Sequence, residues 1–197
     1  MLVDEELRPW RIHPRLLAAA AAAVALVHGT LWWLYYRPIP KALWGDETAY
    51  WRSATALLAG DPGWWPDPLW PPLYPRLLAG IMALGGPSMV WIQVVQTCLR
   101  AAAAVLLYDL VRRLSGSQLA AAVAAILTLG FPPLAAYAHY LWPEIPHLFL
   151  FLAVLWLLVV RAERPLWCGV AGVAAGLALL TKSLLGPFLP VLILAAF

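Results

Sequence analysis

Charge is scarce in this chain of 197 residues. Asp, Glu, Lys and Arg make up 12% of it, about half the share found in a soluble globular domain. Hydrophobic residues make up 63%, and the mean hydropathy is +0.79. A soluble domain of this length has too much surface for its volume to hide that much apolar side chain. The scarcity therefore excludes an ordinary cytosolic domain and a disordered chain. There is no basic run, and the net charge is only +3, which excludes a nucleic-acid surface. Cysteine is nearly missing as well. Cys98 and Cys168 lie in or beside apolar runs. They read as small buried hydrophobes, with neither a disulfide nor a metal site implied. What remains is an all-α polytopic membrane protein, with lipid as the solvent for most of its surface.

Two residue types are abundant instead: 12 Trp and 18 Pro. Trp suits the membrane–water interface, where an amphipathic ring sits at headgroup level. So many prolines point to broken helices and structured loops that line a cavity. A bilayer core needs about 20 mainly apolar residues per helix. The runs at 16–36, 88–111, 118–131, 144–160, 166–180 and 184–197 give about six spans, the third with a kink past Pro132-Pro133. The first run follows Arg8, Arg11 and Arg15 and is Ala-rich, so a cleaved signal peptide competes with a retained anchor. Its length favours the anchor. The last run stops without closing charges, so 1–197 reads as a single transmembrane domain cut short.

Alternating these spans collects Arg8, Arg11, Arg15, Arg112, Arg113, Arg161 and Arg164 on one side. Positive charge in short loops marks that side as the cytoplasm. The long loop 37–87 then faces outward. So do Asp46, Glu47, Arg52, Asp61, Asp67, Arg76, His139, Glu144 and Lys182, and chemistry is expected on that face.

Four outer constellations and one buried charge stand out. From Asp46 to Ala59 the spacing is helical. Glu47, Tyr50, Ala54 and Leu58 share an apolar face with Leu57, as in a helix lying in the interface. Asp46 can act as a cap at its entrance. Glu47, on the apolar face, needs a partner or a function. A second short interfacial helix, or a structural re-entrant loop, is expected over 77–84, started by Pro75 and stopped by Gly85-Gly86. In the third, Trp142-Pro143-Glu144 opens a span. Glu144 either favours the helix dipole or faces Asp46 across a cavity, and the spacing lets His147 pair with it. His139 reads as a hydrogen-bonded interfacial residue or a substrate contact. In the fourth, Gly169, Gly172 and Gly176 are spaced for close helix approach. Lys182, just beyond, is a snorkelling anchor or a phosphate-binding charge. Arg100, near the middle of a span beside Gln96, is either a structural charge or a ligand contact. Asp109 is expected to pair with Arg112 and Arg113.

The order of these motifs resembles the N-terminal half of a GT-C glycosyltransferase. It is most similar to bacterial lipid-linked-sugar transferases, such as the aminoarabinose transferase of lipid A, and to protein O-mannosyltransferases. The resemblance rests on Gly45-Asp46-Glu47 with Tyr50, the Pro-Pro-Leu-Tyr-Pro run at 71–75, and the Leu-Leu-Tyr-Asp-Leu-Val-Arg-Arg-Leu-Ser-Gly run at 106–116. Trp-Pro-Glu at 142–144 and Gly-Leu-Ala-Leu-Leu-Thr-Lys at 176–182 complete it. The resemblance implies an enzyme in a bacterial inner membrane. It would move a sugar from a polyprenyl-phosphate donor to a hydroxyl or phosphate of a glycan, lipid or protein acceptor at the extracytoplasmic face. It implies Asp46 as general base, aided by Glu47, with Glu144 as a second acid orienting the acceptor or a divalent metal. Lys182, with Arg76 and Arg52 behind it, would hold the leaving phosphate. Tyr50, His139 and Arg100 would contact substrate. Some relatives use a metal, but this sequence shows no metal site. A non-catalytic membrane scaffold and a small transporter or flippase are the competing classes.

Overall fold

The computed structural model describes residues 42–61, 70–161, 163–188 and 190–191, with isolated positions between 22 and 34. Every element among the described residues is helical. In chain order they are α1 (Asp46–Leu58), α2 (Leu73–Gly85), α3 (Met89–Ser115), α4 (Gln118–Gly130), α5 (Pro132–His139), α6 (Glu144–Arg161) and α7 (Pro165–Thr181). A 3₁₀ segment, Ser183–Phe188, follows.

Local chemistry sets these boundaries. The Ser88 hydroxyl accepts the Trp91 N–H and starts α3. Gly116, at φ 68°, ends it in the left-handed conformation that costs glycine least. The Ser117 hydroxyl then accepts the Ala120 N–H and starts α4. The expected turn at 115–117 is therefore a helix stop and a helix start in immediate succession. Pro132 and Pro133 have no N–H to donate, so α4 cannot continue through them. Phe131 is extended at ψ 113°, as a residue before proline tends to be. The chain resumes as α5 after a bend of 48°.

Among the described residues only α3 and α6 are long and apolar enough to cross a membrane, and α4 with α5 makes a third if the bent pair is one span. Six spans are not found among the described residues. The expected span at 166–180 is α7, of 17 residues. At 184 the chain is a 3₁₀ turn containing Gly186 and Pro187, which interrupt regular α-helix. The anchor run 16–36, apart from the isolated positions between 22 and 34, and residues 189 and 192–197 of the last run lie outside the described residues. The second interfacial helix is longer than expected, spanning Leu73–Gly85.

The broadest packing contacts are between α6 and α7, α3 and α4, α3 and α6, and α1 and α2. At one end, Asp109 receives Arg112 at 2.7 Å and Arg113 at 2.6 Å, as the spacing predicts. It also accepts the Trp156 indole N–H at 2.9 Å, which ties α6 to α3. At the other end, α1 and α2 fold over the bundle on a core of Tyr50, Ala54, Tyr74, Leu78, Met82, Ile92 and Leu141.

Two small-residue expectations are corrected. Gly169 and Gly172 are exposed, and nothing lies within 4 Å of a side chain added at Gly169, Gly172 or Gly176. The buried face of α7 is Ala171, Ala175, Ala178 and Thr181. Alanine at these steps already permits close approach. Cys98 and Cys168 are exposed rather than buried, on helix faces left free by packing.

Candidate active site

Glu47 is the residue on which the end of the bundle covered by α1 and α2 is built. It sits on the inner face of α1, 1% exposed. Its Oε1 accepts the backbone N–H of Leu141 at 2.8 Å, across 94 positions of sequence. Its Oε2 accepts the Trp44 N–H at 3.2 Å, closing the turn before α1. The need for a partner is thus met by two backbone donors, and Glu47 does not line the cavity described below.

The segment reached by Glu47 is also held from beneath. Gln96 donates to the carbonyls of Ala138 at 3.1 Å and Tyr140 at 2.9 Å, and accepts the Tyr74 hydroxyl at 3.1 Å. Gln93 donates to the His139 carbonyl at 3.1 Å. These carbonyls end α5 or follow it, where no further helical turn supplies donors. The glutamines interrupt an apolar span because they bind the end of another helix. Polar residues at intervals of three or four within a span were the available signal, but the sequence did not name their partners.

With 138–141 fixed, Trp142, Pro143 and Glu144 are presented to α1 and to the end of α7. A cavity of about 300 Å³ opens there. It is lined by Asp46, Tyr50, Trp70, Pro71, Trp142, Pro143, Glu144, Thr181, Lys182 and Ser183. Four predicted site residues, Asp46, Tyr50, Glu144 and Lys182, meet in it. Asp46 is exposed in the first turn of α1, where a negative charge suits the helix dipole. Its expected capping bond is absent: Gly45 takes the cap position at φ 57°, with no side-chain bond. Lys182 Nζ lies 2.6 Å from Glu144 Oε1. Each charge sits at the helix end whose dipole favours it, Glu144 starting α6 and Lys182 following α7. His147 does not pair with Glu144 but contacts the Ala178 carbonyl at 3.1 Å, fastening α6 to α7 below the ion pair.

Tyr50 lies edge-on to Trp70 and Tyr74, with ring centroids 5.5 and 4.8 Å away. Burial, then the nearby Asp46 and Glu144 carboxylates, push its phenol up to about 12. Burial likewise raises Tyr74 well above its ordinary value. Tyr50 therefore serves as a neutral hydroxyl. From pH 10 to about 12 the folded chain holds this proton more tightly than the unfolded chain, so stability falls as pH rises through that window. A spectrophotometric phenolate titration should show a late-ionising tyrosine that Tyr50→Phe removes. An unchanged titration would show that Tyr50 is not that group.

The other predicted residues stand apart from the lining. Arg52 is exposed on α1, and Arg76 donates to the Pro72 carbonyl at 2.9 Å. His139 contributes its carbonyl to Gln93. Arg100 is 3% exposed, one turn from Gln96, and its Nε and Nη1 have no hydrogen-bond partner among the described residues. Trp70, Pro71, Trp142, Pro143, Thr181 and Ser183 were not foreseen as lining, although each borders a motif that was. No group of three or more His, Cys, Asp or Glu able to hold a metal occurs among the described residues. Glu144, the residue assigned to metal or acceptor, is engaged by Lys182.

Fold and cavity together define a helical membrane protein with an acid-lined cavity at one end of its bundle. Residues 70–197 match the family described as dolichyl-phosphate-mannose-protein mannosyltransferase. The chain belongs to that family, a group of GT-C membrane glycosyltransferases. The match takes in Trp142–Glu144 and Lys182 and leaves α1 outside it. No curated protein matches the chain, and no solved structure does.

Proposed function

We propose that the cavity transfers a sugar from a polyprenyl-phosphate donor to an acceptor hydroxyl, with Asp46 as general base. The observation that carries this reading is the meeting of Asp46 with the Glu144–Lys182 pair in one cavity, from three distant parts of the chain. The acceptor oxygen attacks C1 of the sugar as Asp46 takes its proton. The bond from C1 to the phosphate oxygen breaks, and the lipid phosphate leaves with the electron pair. Lys182 supplies positive charge to that phosphate. Glu144 orients the acceptor, Tyr50 offers a neutral hydroxyl beside Asp46, and Trp70 and Trp142 give apolar walls for a sugar ring. Glu47 acts through Leu141, by holding the segment that carries Trp142 and Glu144.

The cavity lies at the end of the bundle opposite Asp109, Arg112 and Arg113. By the positive-inside tendency this supports an extracytoplasmic cavity. The donor class is tested by offering the full chain, in detergent or vesicles, a labelled sugar as its polyprenyl phosphate and as its nucleotide diphosphate. Transfer from the lipid-linked form alone is expected. Efficient use of the nucleotide sugar would overturn the reading.

A further inference from the structure

We infer that Glu144 is a gate on Lys182: the donor phosphate takes Lys182 from Glu144 on entering the cavity, and the released carboxylate then meets the acceptor hydroxyl. This rests on the proposed lipid-phosphate donor and deepens it.

The argument begins with charge. Among the described residues lining the cavity, Lys182 is the one cation, and Asp46 and Glu144 are the two anions. With Lys182 2.6 Å from Glu144, its charge is already answered. The Asp46 carboxylate is left over, so the resting cavity is formally negative. A phosphate approaching Lys182 meets a carboxylate on the same ammonium group and a second one nearby, and both repel it. It binds well only where Glu144 gives up its place.

The pair is built to exchange rather than to lock. Both side chains are partly exposed, Lys182 at 30% and Glu144 at 25%, so neither is sealed in a dry interior. Glu144 uses only Oε1. Its Oε2 is buried with no hydrogen-bond partner among the described residues, so half the carboxylate goes unsatisfied in the resting state. Lys182 has three donors on a flexible stem and can follow an incoming anion over a short distance. The His147 contact to Ala178 and the packing of α6 on α7 keep the two helices together when the pair opens. The exchange moves side chains only. It orders the steps: the acceptor carboxylate becomes free when donor is in place, which disfavours acceptor binding at an empty site.

The test compares farnesyl phosphate with farnesol as probes, titrated calorimetrically into the full chain in detergent. The reading is the ratio of the two affinities, which does not depend on the fraction of protein that is folded. Glu144→Gln should raise the preference for the phosphate by about tenfold, because it removes the competing charge. In the same variant turnover in sugar transfer should fall. Lys182→Met should abolish the preference, and Lys182→Arg should retain it. If the pair were only a structural tie, Glu144→Gln would leave the ratio unchanged or lower it, and either result overturns the exchange. A wild type that transfers sugar from the lipid-linked donor under that result keeps the donor reading. A wild type that neither transfers nor prefers the phosphate overturns both.

Discussion

Asp46→Asn should slow sugar transfer by about 10²–10⁴-fold, the usual contribution of a positioned general base. The fold should scarcely notice the change. Asp46 is exposed, and no hydrogen bond or ion pair ties it to another described residue. Substitutions at such positions usually move stability by less than about 0.5 kcal/mol, and the thermal midpoint of the chain should stay within about 2 °C of wild type. The asparagine keeps size and polarity and loses only the ability to take a proton. Donor binding, read as the affinity for a lipid phosphate, should not weaken, since a negative charge has left the cavity. Full transfer activity in a well-folded Asp46→Asn protein would remove Asp46 from the mechanism.

The neighbouring substitution should behave in the opposite way. Glu47→Ala should destabilise the cavity end of the bundle by about 2–4 kcal/mol, the range for losing bonds to a charged group and leaving a buried donor unsatisfied. The Leu141 N–H loses its acceptor in a buried place, and Trp44 loses the bond that closes the turn into α1. Activity should fall as a consequence, because Trp142 and Glu144 follow directly on Leu141. Thermal unfolding in detergent checks the stability. Hydrogen exchange at 138–144 checks the location, and faster exchange is expected there. If Glu47→Ala lost activity at unchanged stability and exchange, Glu47 would instead be part of the reacting site.

These adjacent acids show what the sequence could and could not reveal. Both fall at the start of α1, and helical periodicity alone put Glu47 on the inner face beside Tyr50 and Ala54. Periodicity says which way a side chain points within its own helix. It says nothing of what arrives from 94 residues away, so the Leu141 N–H was invisible. The ion pair of Asp109 with Arg112 and Arg113 was legible because both partners lie within one helical turn. Its third partner, Trp156, comes from another helix and was not. The break at Pro132-Pro133 was readable from covalent chemistry. The 3₁₀ course of Ser183–Phe188 was hidden beneath an apolar run, where composition outweighed the local effect of Gly186 and Pro187.

The cavity follows the same rule. Asp46, Tyr50, Glu144 and Lys182 were singled out as polar groups at the ends of apolar runs, and they converge. Arg52 and Arg76 share their loop with Asp46, but helical phase turns them away from the lining. The glycines of α7 were misread because small size permits a close approach without requiring one. Alanine on the opposite face makes the contact.

The bond from Glu47 to Leu141 also fixes an order of events during synthesis. Glu47 is made 94 residues before the Leu141 N–H that it accepts. At about 5–20 residues per second, that is a wait of roughly 5–20 s. Until Leu141 arrives, the carboxylate keeps its local bond from Trp44 but lacks the long-range one, and moving it into lipid would be costly. Helix α1 must therefore idle while α2 to α5 are made. It docks only when the 138–144 segment has been made, so Asp46 and Glu144 come to share a cavity late in assembly.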